Sequence, residues 1–401
     1  MIGQTKRAAI LLLIVAEAIG MNLWFTSAAV LTDLAREGII PASQQALLSS
    51  AVQAGFVVGA LLVSISGIAD RFDPRRVFAF SAVTAAAANL LLLVPPLGEG
   101  LAVASRFLTG ALLAGVYPVG MKIAVGWSLR DRGLLVGLLV GGLTLGKSMP
   151  YLAAYFGGTD WRAAIVAASL FAAAGGLLVL AVRLGPHHAP SPRFEPLAIR
   201  LAWTDPRIRR AYIGYLGHMW ELYAMWAWIA AAATASYAVN MDRSNAESLA
   251  KLTAFLAIAL GGVVCILAGA MADRVGKAEV AIAALAISGS AAILTAASFG
   301  GPVWITFVLI LIWGIAVIPD SAQFSAIVAD NTPPHLVGSL LTFQTALGFG
   351  LTIATVHVTP MLAEAFGWPS VLAAMAIGPA IGIVAMLPLR VRDMTGPVSS
   401  R

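Results

Sequence analysis

Long apolar stretches, separated by short polar connections, follow one another along almost the whole chain. Only 11% of the 401 residues are charged, against about 25% in ordinary soluble domains, and 60% are hydrophobic. An α-helix needs about 20 consecutive apolar residues to cross a bilayer, and many of these stretches reach that length. Transmembrane β-strands would be shorter and would alternate in polarity. The sequence therefore predicts an all-α polytopic membrane protein.

Hydropathy predicts twelve transmembrane helices. They cover roughly residues 8–34, 45–69, 76–95, 99–127, 132–156, 162–184, 209–237, 247–272, 278–299, 302–329, 336–363 and 368–389. Lys6 and Arg7 precede the first apolar run as they would in a signal peptide, but this run is too long for one and contains Glu17. We therefore expect an uncleaved first span.

Arginine and lysine are distributed unequally among the predicted connections. Most lie at the two termini and in one set of alternate connections. The other set contains only Arg36, Arg162, Arg243 and Lys251. Because positive residues stay on the cytoplasmic side, we expect both termini to be cytoplasmic and the protein to lie in the cell membrane, the inner membrane in bacteria. The same asymmetry explains the net charge of +6, so this charge does not indicate nucleic-acid binding.

The longest connection divides the predicted helices six and six. We expect an N-terminal six-helix bundle at 1–184, a cytoplasmic linker at 185–208 and a C-terminal six-helix bundle at 209–401. Three features recur at nearly constant spacing on either side of the linker. They are Asp70 and Asp273 after the second and eighth spans, Pro118 and Pro319 in the fourth and tenth, and Trp161 and Trp368 before the sixth and twelfth. Duplicated halves of this kind are typical of transporters with a central site.

Specific motifs extend this interpretation. The second loop copy, "GAMADRVGK" (269–277), follows the pattern G-x-x-x-D-R-x-G-R-R, whereas the first copy has Ser66 in place of the leading glycine and a longer tail. "RFLTG" (106–110) and the glycine-rich "GLLVGGLTLGKSMP" (137–150) lie in spans four and five. On these motifs the sequence resembles the major facilitator superfamily over essentially the whole chain. The resemblance implies a fold of two six-helix halves in which spans one, four, seven and ten line a central cavity.

The loop motif predicts a cytoplasmic gate. An aspartate at a helix end beside arginines can bridge to a neighbouring helix when that side of the protein is closed. We therefore assign gating roles to Asp70, Arg71, Asp273 and Arg274. The alternative is that the arginines only contribute the positive charge expected on the cytoplasmic side.

Ionisable residues inside the predicted spans indicate a water-accessible path, because charges near the bilayer centre are retained mainly where they pair or line a cavity. His218 and Glu221 are three residues apart and share a face of span seven. Glu221 lies about 16–18 Å from the cytoplasmic end at 1.5 Å per residue, close to the midplane, as does Glu17. We predict proton-carrying or substrate-binding roles for them; the alternative is helix packing through buried hydrogen bonds.

Other polar residues complete the predicted substrate and proton site. The set is Glu17, Arg106, Lys147, His218, Glu221, Asp320, Gln323 and Gln344. Lys147 either neutralises an anionic substrate or pairs permanently with Glu17 or Asp320. Arg106 resembles the family's span-four arginine, which implies a part in coupling proton and substrate sites.

The sequence thus predicts a secondary active transporter that moves a small anionic or zwitterionic organic solute together with protons by alternating access. The gradients, and not these residues, set the direction of transport. The alternatives are drug or metabolite efflux, metal or metal-chelate transport, and a non-transporting membrane sensor. A membrane enzyme is not expected, because no H-E-x-x-H, G-x-S-x-G, Walker or dinucleotide motif occurs at a position where it could form a catalytic or nucleotide-binding site. We expect no cofactor, no resident metal and a functional monomer; the single Cys265 leaves no partner for a disulfide within the chain.

Overall fold

The structure is a computed structural model that describes residues 5–37, 42–94, 99–127, 132–157, 160–188, 195–333 and 335–393. All regular elements within these ranges are helices, which confirms the all-α prediction. The α-helices are α1 (Lys6–Gly20), α2 (Thr26–Ala29), α3 (Leu31–Arg36), α4 (Ala42–Ser66), α5 (Ile68–Arg71), α6 (Pro74–Leu90), α7 (Glu99–Leu113), α8 (Tyr117–Val125), α9 (Arg132–Phe156), α10 (Trp161–Leu178), α11 (Ile199–Thr204), α12 (Pro206–Tyr237), α13 (Arg243–Val275), α14 (Lys277–Ala297), α15 (Val303–Ala316), α16 (Ser321–Asp330), α17 (Val337–Phe366), α18 (Trp368–Met375) and α19 (Ile377–Asp393). Short 3-10 segments are Met21–Leu23, Leu91–Leu93, Val179–Ala181 and Pro196–Ala198.

Within the described ranges, nine helical segments are long and apolar enough to cross a membrane. They correspond to the expected spans two to four, six, and eight to twelve. The three remaining expected spans are α1–α3, α9 and α12, which contain Glu17, Lys147, and the pair His218 and Glu221. A multi-pass membrane protein is therefore supported. The count of twelve spans, the division into two bundles and the location of the termini stay predictions.

Three expected spans that contain predicted site residues are interrupted near their middle, and the twelfth expected span is interrupted at Ala376, between α18 and α19. The first changes to a 3-10 turn at Met21–Leu23, between α1 and α2. The other two are interrupted at the repeated prolines: α7 gives way to α8 at Pro118, and α15 gives way to α16 after Pro319. Proline lacks an N–H group and collides with the preceding helical turn, which explains both interruptions. Such interruptions leave backbone carbonyl groups free to bind side chains.

Small residues allow several helices to approach each other closely. At Gly55 of α4 a Cβ atom would lie 1.9 Å from the carbonyl oxygen of Phe107 in α7, and at Gly146 of α9 it would lie 2.0 Å from that of Ala18 in α1. Larger side chains cannot be accommodated there without separating the helices. The contact between Gly146 and Ala18 matters for the site, because it brings their neighbours Lys147 and Glu17 to the same level of the molecule.

Two extensive helix contacts join the first six expected spans to the last six. α9 packs against α13, and α4 packs against α17. Between α9 and α13 the helices meet at Gly141 and Gly262, where an added Cβ would lie about 3 Å from the carbonyl oxygen opposite (3.0 and 2.9 Å). This contact is looser than the glycine contacts described above.

Ion pairs connect α3 to the beginning of α13 at one end of the molecule. Lys251 Nζ donates a hydrogen bond to Asp33 Oδ2 at 2.8 Å, and Arg36 Nη1 donates one to Glu247 Oε2 at 3.1 Å. Asp33 is only 1% exposed and Lys251 only 5%. Because buried charges are costly without a partner, these pairs favour the closed arrangement of this end.

We predict that Lys251→Met opens this end of the molecule. Removing one partner of a buried pair costs about 3–5 kcal/mol when the remaining charge is left unpaired. Without Lys251, Asp33 keeps only the half-exposed Arg36 as a partner, so the cost is smaller, and separation of α3 from α13 would hydrate the carboxylate. The distance between spin labels at the exposed residues Phe156 and Val239, in a protein without Cys265, should increase. Ser244→Ala, at an exposed position of the same helix, should leave this distance unchanged. Equal distances in wild type and Lys251→Met would contradict the prediction.

Candidate functional site

Lys147 of α9 is 2% exposed and lies among aromatic rings. Its ammonium nitrogen is 4.1 Å from the ring centroid of Trp24, 4.7 Å from that of Tyr223 and 5.8 Å from that of Trp226, and it donates a hydrogen bond to the Tyr223 hydroxyl. A desolvated cation–π contact contributes roughly 2 kcal/mol, whereas burying an ammonium costs several, so these contacts offset a substantial part of the cost. Lys147 therefore links α9 to both α1–α3 and α12.

The rings around Lys147 belong to a larger aromatic cluster. Its members are Trp24, Phe25, Phe56 and Tyr151 from the first six expected spans, and Tyr223, Trp226 and Phe349 from the last six. All seven side chains are buried. Phe56 and Phe349 are the closest pair, with ring centroids 4.7 Å apart. The Tyr151 hydroxyl also donates a hydrogen bond to the Trp226 carbonyl oxygen at 2.6 Å. The aromatic cluster thus fills the space between the two groups of helices.

Glu17 of α1 is completely buried beside this cluster. Its carboxylate interacts electrostatically with Lys147. Neither of its oxygens accepts a hydrogen bond from the described residues. The carboxylate lies against Gly120 of α8, where an added Cβ atom would be 2.0 Å from Glu17 Oε2. Two of the predicted site residues, Glu17 and Lys147, are therefore buried at the same level of α1 and α9, next to the contact of Ala18 with Gly146.

Arg106 of α7 lies in a different environment. Its guanidinium donates hydrogen bonds to the carbonyl oxygens of Leu23 and Trp24, at 2.8 and 3.0 Å, and to Asn89 Oδ1 at 2.6 Å. Leu23 and Trp24 lie where the first expected span is interrupted, so Arg106 binds carbonyl groups at that interruption. The side chain is 0% exposed and contacts the backbone of Trp24 rather than Lys147. Its position supports the conformation that presents the Trp24 ring to Lys147.

His218 and Asp320 form a second buried group. His218 Nδ1 of α12 is 2.8 Å from Asp320 Oδ1, and both side chains are almost completely buried. Asp320 lies in the interruption between α15 and α16. The imidazole packs against the rings of Tyr215 and Phe324, whose centroids are 6.1 and 6.0 Å away. The pair therefore connects α12 to the interrupted tenth expected span.

Glu221 lies on the same face of α12 as His218, as the spacing predicts. Its oxygens accept hydrogen bonds from Ser288 Oγ at 2.6 Å and from Trp313 Nε1 at 3.0 Å, on α14 and α15. This face therefore points toward α14–α16 and not toward Lys147. The structure does not bring Glu221 into the aromatic cluster.

The two predicted glutamine ligands are also buried among the last helices. Gln323 of α16 is 3% exposed and Gln344 of α17 is 1% exposed. Gln344 Oε1 accepts a hydrogen bond from Ser325 Oγ at 3.4 Å. Their roles in substrate binding stay predictions.

The predicted gating residues are only partly covered by the structure. The side chains of Asp70 and Asp273 lie outside the described set, and those of Arg71 and Arg274 are exposed. Next to the first motif, Arg75 donates hydrogen bonds to Asp73 and to the Val182 carbonyl oxygen, the latter at 3.2 Å. The hydrogen bonds from the Arg75 guanidinium to the Asp73 carboxylate hold the pKa of Asp73 below its ordinary value. Arg75 therefore ties this loop to the end of the sixth expected span.

Sequence reasoning missed two groups of residues. The first is the aromatic cluster, of which only Trp24 is an obvious cavity candidate, because aromatic residues surround span seven on all sides. The second is the ion-pair group of α3 and α13. The spacing of charges in the sequence indicates this group: Asp33 and Arg36 are three residues apart, and Glu247 and Lys251 are four apart, so each pair of opposite charges shares a helix face.

Comparison with known structures finds proteins of the same fold. A partially occluded inward-open structure of the xylose transporter XylE from E. coli gives a TM-score of 0.71 at 14% identity, covering 94% of this chain and 98% of that one. The proton:xylose symporter XylE bound to 6-bromo-6-deoxy-D-glucose gives 0.70 at 14% identity, covering 96% and 95%. A variant of the nucleoside transporter NupG gives 0.71 at 16% identity, covering 95% and 99%.

Sequence comparison identifies the family. No curated protein matches the chain. The family described as Major Facilitator Superfamily matches residues 11–355, which is most of the sequence. This match confirms the resemblance found in the loop and span-four motifs. The chain therefore belongs to the major facilitator superfamily.

Proposed function

We propose that this protein is a secondary active transporter that moves a small anionic or zwitterionic organic solute across the membrane by alternating access, coupled to protons. One observation carries the proposal: the Lys147 ammonium is buried among rings from the first and the last helices, and Glu17 is buried on α1 close enough to interact with it electrostatically. Buried charges away from helix ends are expensive and mark substrate or ion pathways. Membership of a family of transporters supports the same conclusion.

The proposed architecture has twelve spans in two six-helix halves, with both termini in the cytoplasm. The contacts of α9 with α13 and of α4 with α17 support a boundary between such halves. In this arrangement the ion pairs of α3 and α13 close the side opposite the termini. Alternating access then requires these pairs to separate while the glycine contact of α9 with α13 adjusts.

Lys147 is the group proposed to bind a negatively charged substrate. No carboxylate oxygen among the described residues forms an ion pair with its ammonium within 4 Å. Its near neighbours are aromatic rings and the Tyr223 hydroxyl. A substrate carboxylate would supply the stronger, charge-assisted hydrogen bond that this ammonium lacks.

Proton coupling follows from the balance of charge around Lys147. An ionised Glu17 and a charged Lys147 together have no net charge. A bound substrate carboxylate adds one negative charge, and each uncompensated buried ion costs several kcal/mol. Uptake of one proton by Glu17 restores neutrality. Protonation sacrifices few hydrogen bonds, because the Glu17 carboxylate accepts none from the described residues. We propose Glu17, rather than Glu221, as the proton carrier.

The first test compares Glu17→Gln with Glu221→Gln in proteoliposomes. Glu17→Gln should retain counterflow exchange of substrate but lose accumulation driven by a proton gradient, because the amide cannot exchange a proton. Glu221→Gln should accumulate substrate, since Glu221 is bonded to Ser288 and Trp313 away from Lys147. The opposite pattern would move the proton role to Glu221.

The second test removes the positive charge of the site. Lys147→Met keeps a long apolar side chain among the rings but removes the ammonium, so uptake of an anionic substrate should fall by at least about tenfold, equivalent to 1.4 kcal/mol. Radiolabelled uptake at matched protein levels measures the effect. Arg209→Met, at an exposed position away from the site, should transport as wild type does. Undiminished anion uptake by Lys147→Met would contradict the proposed role.

A further inference from the structure

We propose that the site around Lys147 selects monocarboxylates with a flat aromatic body. This inference rests on the proposed transport function and narrows its substrate class. It combines three observations: the ammonium group, the origin of the rings around it, and buried polar atoms on those rings that lack hydrogen-bond partners.

The rings divide into two walls. Trp24 and Phe56 belong to the first six expected spans, whereas Tyr223 and Phe349 belong to the last six. Across the boundary, the ring centroids of Trp24 are 5.6 Å from Tyr223 and 5.5 Å from Phe349. Because the walls belong to different groups of helices, separation of those groups parts the rings. The space created is a slot between opposing aromatic faces.

A slot of this shape favours a planar apolar ligand. An aromatic ring inserted between the walls contacts a ring on each side, at the centroid separations of about 4.5–7 Å that aromatic pairs prefer. Such a ligand replaces the ring contacts that are lost when the walls part, and it thereby allows them to close again. A puckered saturated ring is thicker and provides no π face.

Polar atoms beside Lys147 indicate where the carboxylate binds. The indole Nε1 atoms of Trp24 and Trp226 are buried and donate no hydrogen bond to the described residues. A buried donor without a partner costs about 1–3 kcal/mol. Both indoles flank the Lys147 ammonium. Ammonium and indole N–H groups are all donors, which suits a carboxylate and not a ligand cation.

The charge count favours one carboxylate over two. Among the described residues, Lys147 is the cation that lies over rings of the aromatic cluster, whereas Arg106 is occupied by the carbonyl oxygens of Leu23 and Trp24 and by Asn89. A second carboxylate would lie near Glu17 without a cation of its own. Repulsion and desolvation would both oppose its binding.

The test measures binding to the purified full-length protein by isothermal titration calorimetry. Benzoate is compared with cyclohexanecarboxylate, which is not flat, with benzyl alcohol, which is not charged, and with phthalate, which carries two carboxylates. Benzoate should bind at least about tenfold more tightly than each of the three, a difference of 1.4 kcal/mol. Equal affinity for cyclohexanecarboxylate would overturn the flat-body requirement, and equal affinity for benzyl alcohol would overturn the carboxylate requirement.

Variants locate the binding site. Lys147→Met and Trp24→Leu should each weaken benzoate binding at least about tenfold. Trp304→Leu, which changes a 69% exposed tryptophan, should bind as wild type does. Phe349→Leu tests the opposite wall if Trp24→Leu does not elute as a folded protein in size-exclusion chromatography. Wild-type affinity in Lys147→Met would overturn the proposal.

Transport assays separate failure of this inference from failure of the proposed function. Liposomes containing the protein are tested with benzoate, xylose and uridine. Uptake of benzoate supports both proposals. Uptake of xylose or uridine without benzoate overturns the aromatic monocarboxylate class but leaves a secondary transporter. If the same liposomes move none of these solutes and no other metabolite class, the transport function itself is wrong.

Discussion

The buried ammonium of Lys147 constrains the rest of the structure. The side chain is buried, so the free-energy cost of desolvating the ammonium must be offset by nearby groups. These are the rings of Trp24, Tyr223 and Trp226, the Tyr223 hydroxyl and the charge of Glu17. These partners come from α1–α3 and α12. The ammonium can therefore keep all of them only while the first and last helices remain in contact around it.

The polar contacts separate into two classes with different consequences for movement. Glu221 and Arg106 bind within the last or the first six expected spans, as does the pair of His218 with Asp320. Lys147 and the ion pairs of α3 with α13 connect the two groups. A rigid-body rotation of one group against the other preserves the first class and breaks the second. The first class therefore stabilises each group, and the second opposes separation of the two groups.

Much of this fold is readable in the sequence, because hydropathy and helix interruption are local properties. The apolar stretches predict the helices correctly, and two of the interruptions lie at Pro118 and Pro319, the prolines that recur in the two halves of the sequence. The shared face of His218 and Glu221 is also predicted correctly. The sequence does not predict the direction in which that face points, because the rotation of a helix about its own axis depends on packing against its neighbours. Tyr223, two residues beyond Glu221, consequently occupies the position that sequence reasoning gave to the glutamate.

The contrast between Glu17 and Glu221 explains why burial alone does not identify a proton carrier. Both side chains are 0% exposed. Glu221 receives donors at both oxygens, so any step that alters it also disrupts its hydrogen bonds to Ser288 and Trp313. Glu17 lies against Gly120 with no such donors from the described residues, and its main electrostatic partner is the cation that a substrate would compete for. A change of charge at Lys147 therefore acts directly on Glu17, and the proposed proton coupling depends on this electrostatic connection.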